Sequence, residues 1–99
     1  MGERMERPVE LDPRRKKLIF RSGHRGMREM DLILGPFATA HIADLTGDEL
    51  DQYESLLEIP DADLFHWITG EKSIPEAFLT PALQKVLAFG RSKSPTNKK

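Results

Sequence analysis

The side chains best suited to chemistry in this 99-residue sequence are three histidines and sixteen carboxylates. Their spacing argues against catalysis. His24, His41 and His66 are not paired with one another at a metal-ligand spacing. With no cysteine in the chain, thiolate metal sites and disulfides are excluded. His41 falls on an apolar helix face and reads as a packed or boundary residue. Asp48, Asp51, Glu54 and Glu58 recur along one side of a helical stretch, as solvated groups do. A hydrolytic pair would need two carboxylates facing each other in a cleft. No glycine-rich loop follows a strand-like run, so the usual nucleotide cradle is missing. Serines and threonines sit where they cap helices or in the tails.

The remaining chemistry is recognition, and Arg25-Gly26-Met27-Arg28-Glu29 is where it concentrates. Read as a helix beginning at Arg25, the stretch puts Arg25 and Glu29 on one face. Gly26 would then cost roughly 1 kcal/mol against alanine with no turn to require it. That cost makes sense if another molecule must approach the main chain closely. The expected contact patch is Gly26 flanked by Arg25, Arg28 and Glu29, with Arg21, His24 and Met27 completing it. Met27 and Met30 also have the periodicity of core residues. The plainer alternative is a solvated ion pair, and an arginine preceding a glutamate is the weaker order.

The same residues carry a resemblance. Arg25-Gly26-Met27-Arg28-Glu29-Met30-Asp31, running on to Pro36-Phe37, resembles the R-G-x-x-E signature of the succinate dehydrogenase flavinylation factors, or FAD assembly factors. Leu56-Leu57-Glu58, followed by Asp61, Asp63-Leu64-Phe65 and Trp67, looks like the second signature of that family. The likeness covers about residues 13 to 91. It implies a small all-helical protein that is not an enzyme and holds no cofactor stably. It implies binding to the flavoprotein subunit of succinate dehydrogenase, and in some bacteria that of fumarate reductase. Covalent FAD attachment to a histidine of that partner would be promoted. Arg25, Gly26 and Glu29 match the motif's arginine, glycine and glutamate. The N-terminal arm is less typical of the family.

Composition bounds the alternatives. The length suits one domain. No apolar run reaches the 18 or so residues of a membrane span, so direct insertion is not expected. The acid-bearing start, with Glu3, Glu6 and Glu10, resembles neither a secretory signal nor a transit peptide. A bacterial cytoplasmic protein is the simplest reading, a mitochondrial matrix protein the other. Net charge is −1, yet Arg14 to Arg28 holds seven bases and Glu29 to Glu71 holds none. Basic and acidic surfaces are therefore expected on different faces, able to orient a partner. The basic segment also motivates a nucleic-acid-binding alternative, opposed by a pI near 6.3. An antitoxin-like binder is the third reading. The free protein is expected to be a monomer.

The elements that must position the patch are all helical. Asp12-Pro13 predicts a first helix to about Arg21, ended by Gly23. A second is expected over Arg25 to Ile42, continuing through Gly35-Pro36 with a kink. Thr46 and Glu49 form a capping box, with Leu45 and Leu50 as a hydrophobic staple, for a third helix to about Glu58. Asp61 is expected to cap a fourth, ended by Gly70. A single turn from Ser73 to Phe78 and a last helix from Thr80-Pro81 to Gly90 complete a compact bundle of about five short helices. Residues 1 to 11 and 92 to 99 are expected as flexible termini.

Overall fold

The computed structural model describes residues 11–93. Five α-helices follow in order: α1 (Pro13–Ser22), α2 (Arg28–His41), α3 (Gly47–Leu56), α4 (Asp61–Thr69) and α5 (Pro81–Lys93). Short 3-10 turns occupy Ile42–Asp44 and Glu76–Phe78, and no strand forms among the described residues. The expected all-α bundle is observed. Of the arm expected over residues 1 to 11, Leu11 instead packs against the core, while residues 1–10 and the end of the expected tail, 94–99, lie outside the described residues.

The strong local signals behave as read. The Asp12 carboxylate accepts the Arg15 N–H at 2.8 Å, with Pro13 opening α1. That bond holds the Asp12 carboxyl below the usual range. Thr46 and Glu49 exchange both capping-box bonds, at 3.0 and 3.1 Å. At α5, Thr80 Oγ1 accepts from Leu83 N and Gln52 of α3 accepts from Ala82 N. Two helix-start donors left open by geometry are thus satisfied by side chains.

α2 is the central element, packing on α1, α4 and α5, while α3 packs on α5. Met30, Leu34, Phe37 and Ala38 line its buried side, and Ala40 is exposed. Leu18, Leu50, Tyr53, Leu57, Leu64, Ile68, Leu83 and Val86 close the core around it. Pro36 lies within α2 without ending it. Both Pro36 and Leu32, whose carbonyl loses its usual helical partner, face outward. Gly23 and Gly35 let α1 and α2 meet closely: a Cβ on Gly35 would lie 3.5 Å from the Gly23 Cα. Gly23 ends α1 at an ordinary negative φ, so its role is this close approach.

Three local expectations are corrected. α2 begins at Arg28 rather than Arg25, for a reason given below. Asp61 is the first residue of α4 and makes no cap; Pro60 occupies the cap position and the Asp61 carboxylate is used elsewhere. α5 runs through Gly90 into the expected tail, because Ile33 and Ile68 pack against the bare Gly90 backbone. Nor do the charges separate onto different faces. Arg14 of α1 bonds Asp51 and Glu54 of α3, and Arg21 bonds Glu58 at 2.8 Å. Oppositely charged stretches have met within the fold.

Between α1 and α3 the Tyr53 hydroxyl lies 2.6 Å from Ser22 Oγ, which donates to Leu18 O. Burial pushes the Tyr53 phenol from 10.0 up to about 12. The folded state thus holds a proton that the unfolded chain releases first. The stability this supplies is complete below pH 10.0 and is lost as pH rises to about 12. The advantage of the wild type over Tyr53→Phe should therefore shrink by about 2–3 kcal/mol between pH 9 and pH 12, measured by urea unfolding. Gly90→Val, which drives a branched side chain into Ile33 and Ile68, should cost about 1–3 kcal/mol in the same assay.

Candidate functional site

Gly26 has φ +111°, a conformation that side-chain-bearing residues rarely adopt. This explains why α2 starts late: the chain reverses between Gly23 and Met27 before the helix can begin. The turn that supplied no visible reason for a glycine in the sequence is the reason. A Cβ built on Gly26 meets nothing within 4 Å, so the residue is exposed and uncrowded. Its exposed main chain lies on a loop instead of the expected helix.

Arg25 does not share a face with Glu29. Its side chain is only 10% exposed and turns inward to the α3–α4 connection. There Nη1 donates to Leu57 O at 2.8 Å, Nη2 to Ile59 O at 2.7 Å, and Nε to the Asp61 carboxylate. The Arg25 backbone N–H donates to Asp31 Oδ1 at 2.7 Å, across the first turn of α2. The guanidinium fork therefore occupies two carbonyls at the frayed end of α3 and a charge at the start of α4. Arg25 is a structural clamp on the Gly26 loop, not an outward-facing charge.

The other expected residues divide between surface and support. Arg28 and Glu29 are exposed on the first turn of α2 and form no ion pair with a described residue. Glu29 benefits there from the positive end of its helix. Met27 occupies the α2 cap position, half-buried against the core, and Met30 is fully buried. Arg21 is tied to Glu58. His24 stacks on Phe20 with ring centroids 4.0 Å apart, and its Nδ1 lies 2.7 Å from Phe20 O. Phe20, 62% exposed, was not singled out from the sequence; a large aromatic amid the five bases of a short helix was the available signal. Phe20, Arg21, His24, Arg25 and Leu57 line one shallow hollow beside the loop. Leu32, 60% exposed, lies one turn along α2 from Arg28 and Glu29.

His41 sits between Phe37 and Phe89, as a boundary residue would. Among the described residues no group of three or more histidine, aspartate or glutamate side chains could hold a metal ion. No described helix is long and apolar enough to cross a membrane.

A glycine in a left-handed turn, an inward arginine and an outward glutamate stand in the order arginine, glycine, two residues, glutamate. The model of a family described as the flavinator of succinate dehydrogenase matches residues 16–90. The chain belongs to the succinate dehydrogenase flavinator family. A protein of Dictyostelium discoideum named succinate dehydrogenase assembly factor 2, mitochondrial, is 47% identical over 77 residues, 78% of this chain and 55% of that one. The FAD assembly factor SdhE of Acetobacter pasteurianus is 38% identical over 81 residues, 82% of this chain and 74% of that one. A Yarrowia lipolytica assembly factor 2 is 34% identical over 88 residues, covering 85% and 61%. The chain thus spans between about half and three quarters of these relatives. No solved structure matches it. The matched residues 16–90 include both sides of the clamp, Arg25 and its acceptors Leu57, Ile59 and Asp61.

These placements predict how substitutions divide. Arg25→Ala should lower stability by about 3 kcal/mol, since it strands Asp61 and two carbonyls. Gly26→Ala should cost about 1–3 kcal/mol through backbone strain alone. Glu29→Ala should stay within about 0.5 kcal/mol of the wild type. Urea denaturation of the three variants checks the order.

Proposed function

We propose that this flavinator-family chain binds the flavoprotein subunit of succinate dehydrogenase and promotes covalent FAD attachment to it. In bacteria that carry it, the homologous subunit of fumarate reductase is a second partner. The observation that carries the reading is Gly26: open main chain in a left-handed turn, beside exposed Arg28 and Glu29, held by a buried clamp. Such a surface suits close docking of a larger protein, with little ordering left to do on binding.

The chain acts as a binding factor without catalytic groups or a stably held cofactor of its own. Bond formation to the flavin belongs to the flavoprotein, whose cofactor carries the chemistry. The factor raises the population of the flavoprotein arrangement competent for attachment, by binding that arrangement better than others. Gly26 permits the surfaces to close, and Glu29 and Arg28 orient them. Arg21, His24 and Met27 support the rim, and Arg25 fixes it from beneath. The free chain works as a monomer, in whichever compartment its flavoprotein partner matures.

The nucleic-acid reading loses its motive. Arg14, Arg15, Arg21 and Arg25 are all spent on bonds within the fold. Lys16, Lys17 and Arg28 remain exposed, a small footprint against the several phosphate contacts that such binding needs.

Glu29→Ala separates function from folding. In cells lacking the native copy, in-gel flavin fluorescence of the flavoprotein should fall roughly tenfold, as for a central contact residue. The helical circular dichroism and midpoint of the variant should match the wild type. Undiminished fluorescence would remove Glu29 from the docking surface.

A further inference from the structure

The second signature, from Leu56 to Trp67, has no part in the docking reading above, yet the structure gives it one. Its Leu57 carbonyl and Asp61 carboxylate, together with the Ile59 carbonyl between them, are the three acceptors of the Arg25 guanidinium. Asp61 is 17% exposed and makes no cap for its own helix, although it stands at the helix start where an aspartate commonly serves as one. Its carboxylate points at an arginine 36 residues earlier in the chain. We infer that Asp61 is a positioning residue for partner docking: it anchors Arg25, and through Arg25 sets the Gly26–Glu29 loop.

The path is short and continuous. Asp61 holds the Arg25 Nε, and the two carbonyls hold the fork in plane. The Arg25 backbone N–H is bonded in turn to Asp31, whose own N–H reaches Met27 O at 3.0 Å. Gly26 lies between these two anchored points, so its uncommon φ is over-determined by bonds on either side. Without the Asp61 charge, Arg25 keeps two neutral acceptors and loses the charge-assisted one. The loop then samples other conformations, and fewer molecules present the docking shape at any moment.

Arg15 supplies an internal control. Its guanidinium likewise bridges two carbonyls, Ile42 O at 2.9 Å and Leu45 O at 2.7 Å, and an aspartate, Asp12. It does so under the α2–α3 connection rather than under the Gly26 loop.

The inference rests on the flavoprotein-binding reading, and two readouts keep them apart. In the full chain, Asp61→Ala and Asp61→Asn are compared with Arg15→Ala, chosen to lower the unfolding midpoint by a similar amount. Amide hydrogen exchange is followed at Arg25, Met30 and Asp31, whose N–H groups are bonded in the loop, and at core amides of α5. Affinity is measured for the purified succinate dehydrogenase flavoprotein subunit. Both Asp61 variants should exchange roughly tenfold faster at the three loop amides and bind roughly tenfold more weakly. Core amides of α5 should slow or quicken no more than in Arg15→Ala, and Arg15→Ala should bind as the wild type does. Asp61→Glu should recover part of both losses. Unchanged loop exchange in Asp61→Ala would overturn the positioning role, as would faster exchange with wild-type affinity. If the wild type itself fails to bind, the functional reading falls, while the exchange result still decides whether Asp61 holds the loop.

Discussion

One guanidinium joins two connections of this protein that lie far apart in sequence. Arg25 leaves a loop between α1 and α2 and ends against the connection between α3 and α4, where it meets two carbonyls and a carboxylate. The constraint behind it is general. A helix end leaves main-chain carbonyls without partners, and burying them unsatisfied is costly. The α3–α4 connection has no glycine to fold a C-terminal cap, and Pro60 contributes no N–H. An arginine, with five donors in a plane, satisfies what the local chain does not.

The same solution appears at other helix ends. Arg15 serves the Ile42–Leu45 turn, and Arg91 reaches Trp67 O and Ile68 O at the end of α4. This small bundle therefore uses arginines as bolts between neighbouring connections. It follows that four of the seven bases between Arg14 and Arg28 serve hydrogen bonds within the fold. The charge pattern that suggested an oriented external field is largely consumed by α3 acids and by carbonyls. Lys16, Lys17 and Arg28 stay exposed, and Arg28 belongs to a short rim, Gly26 to Glu29, with Leu32 and the Phe20–His24 stack nearby.

Much of the fold was legible because its signals are local. Asp12-Pro13, the Thr46–Glu49 box and the apolar period of α2 each act within a turn or two, and each stands as read. Two of the misreadings share an origin: a partner distant in sequence. Asp61 has the type and place of a cap, and Arg25 drew its carboxylate away. Gly90 has the type of a helix stop, and Ile33 and Ile68 required its smallness inside a helix. Gly26 was recognised as important for its main chain, but its left-handed φ was hidden by assuming the helix already begun. Arg25 and Glu29 appeared equivalent in a linear motif. In three dimensions one looks inward and the other outward, a distinction that spacing alone does not carry.

The stretch from Arg25 to Glu29 thus divides into an inward bolt, a left-handed turn and an exposed carboxylate. The most direct test is a crystal structure of this chain bound to the flavoprotein subunit of succinate dehydrogenase. It should show the Arg25 guanidinium still seated on Asp61, Leu57 O and Ile59 O, with the Gly26 main chain and Glu29 against the flavoprotein. An Arg25 swung out to bond the partner, or a partner seated on a face remote from Gly26, would contradict the account.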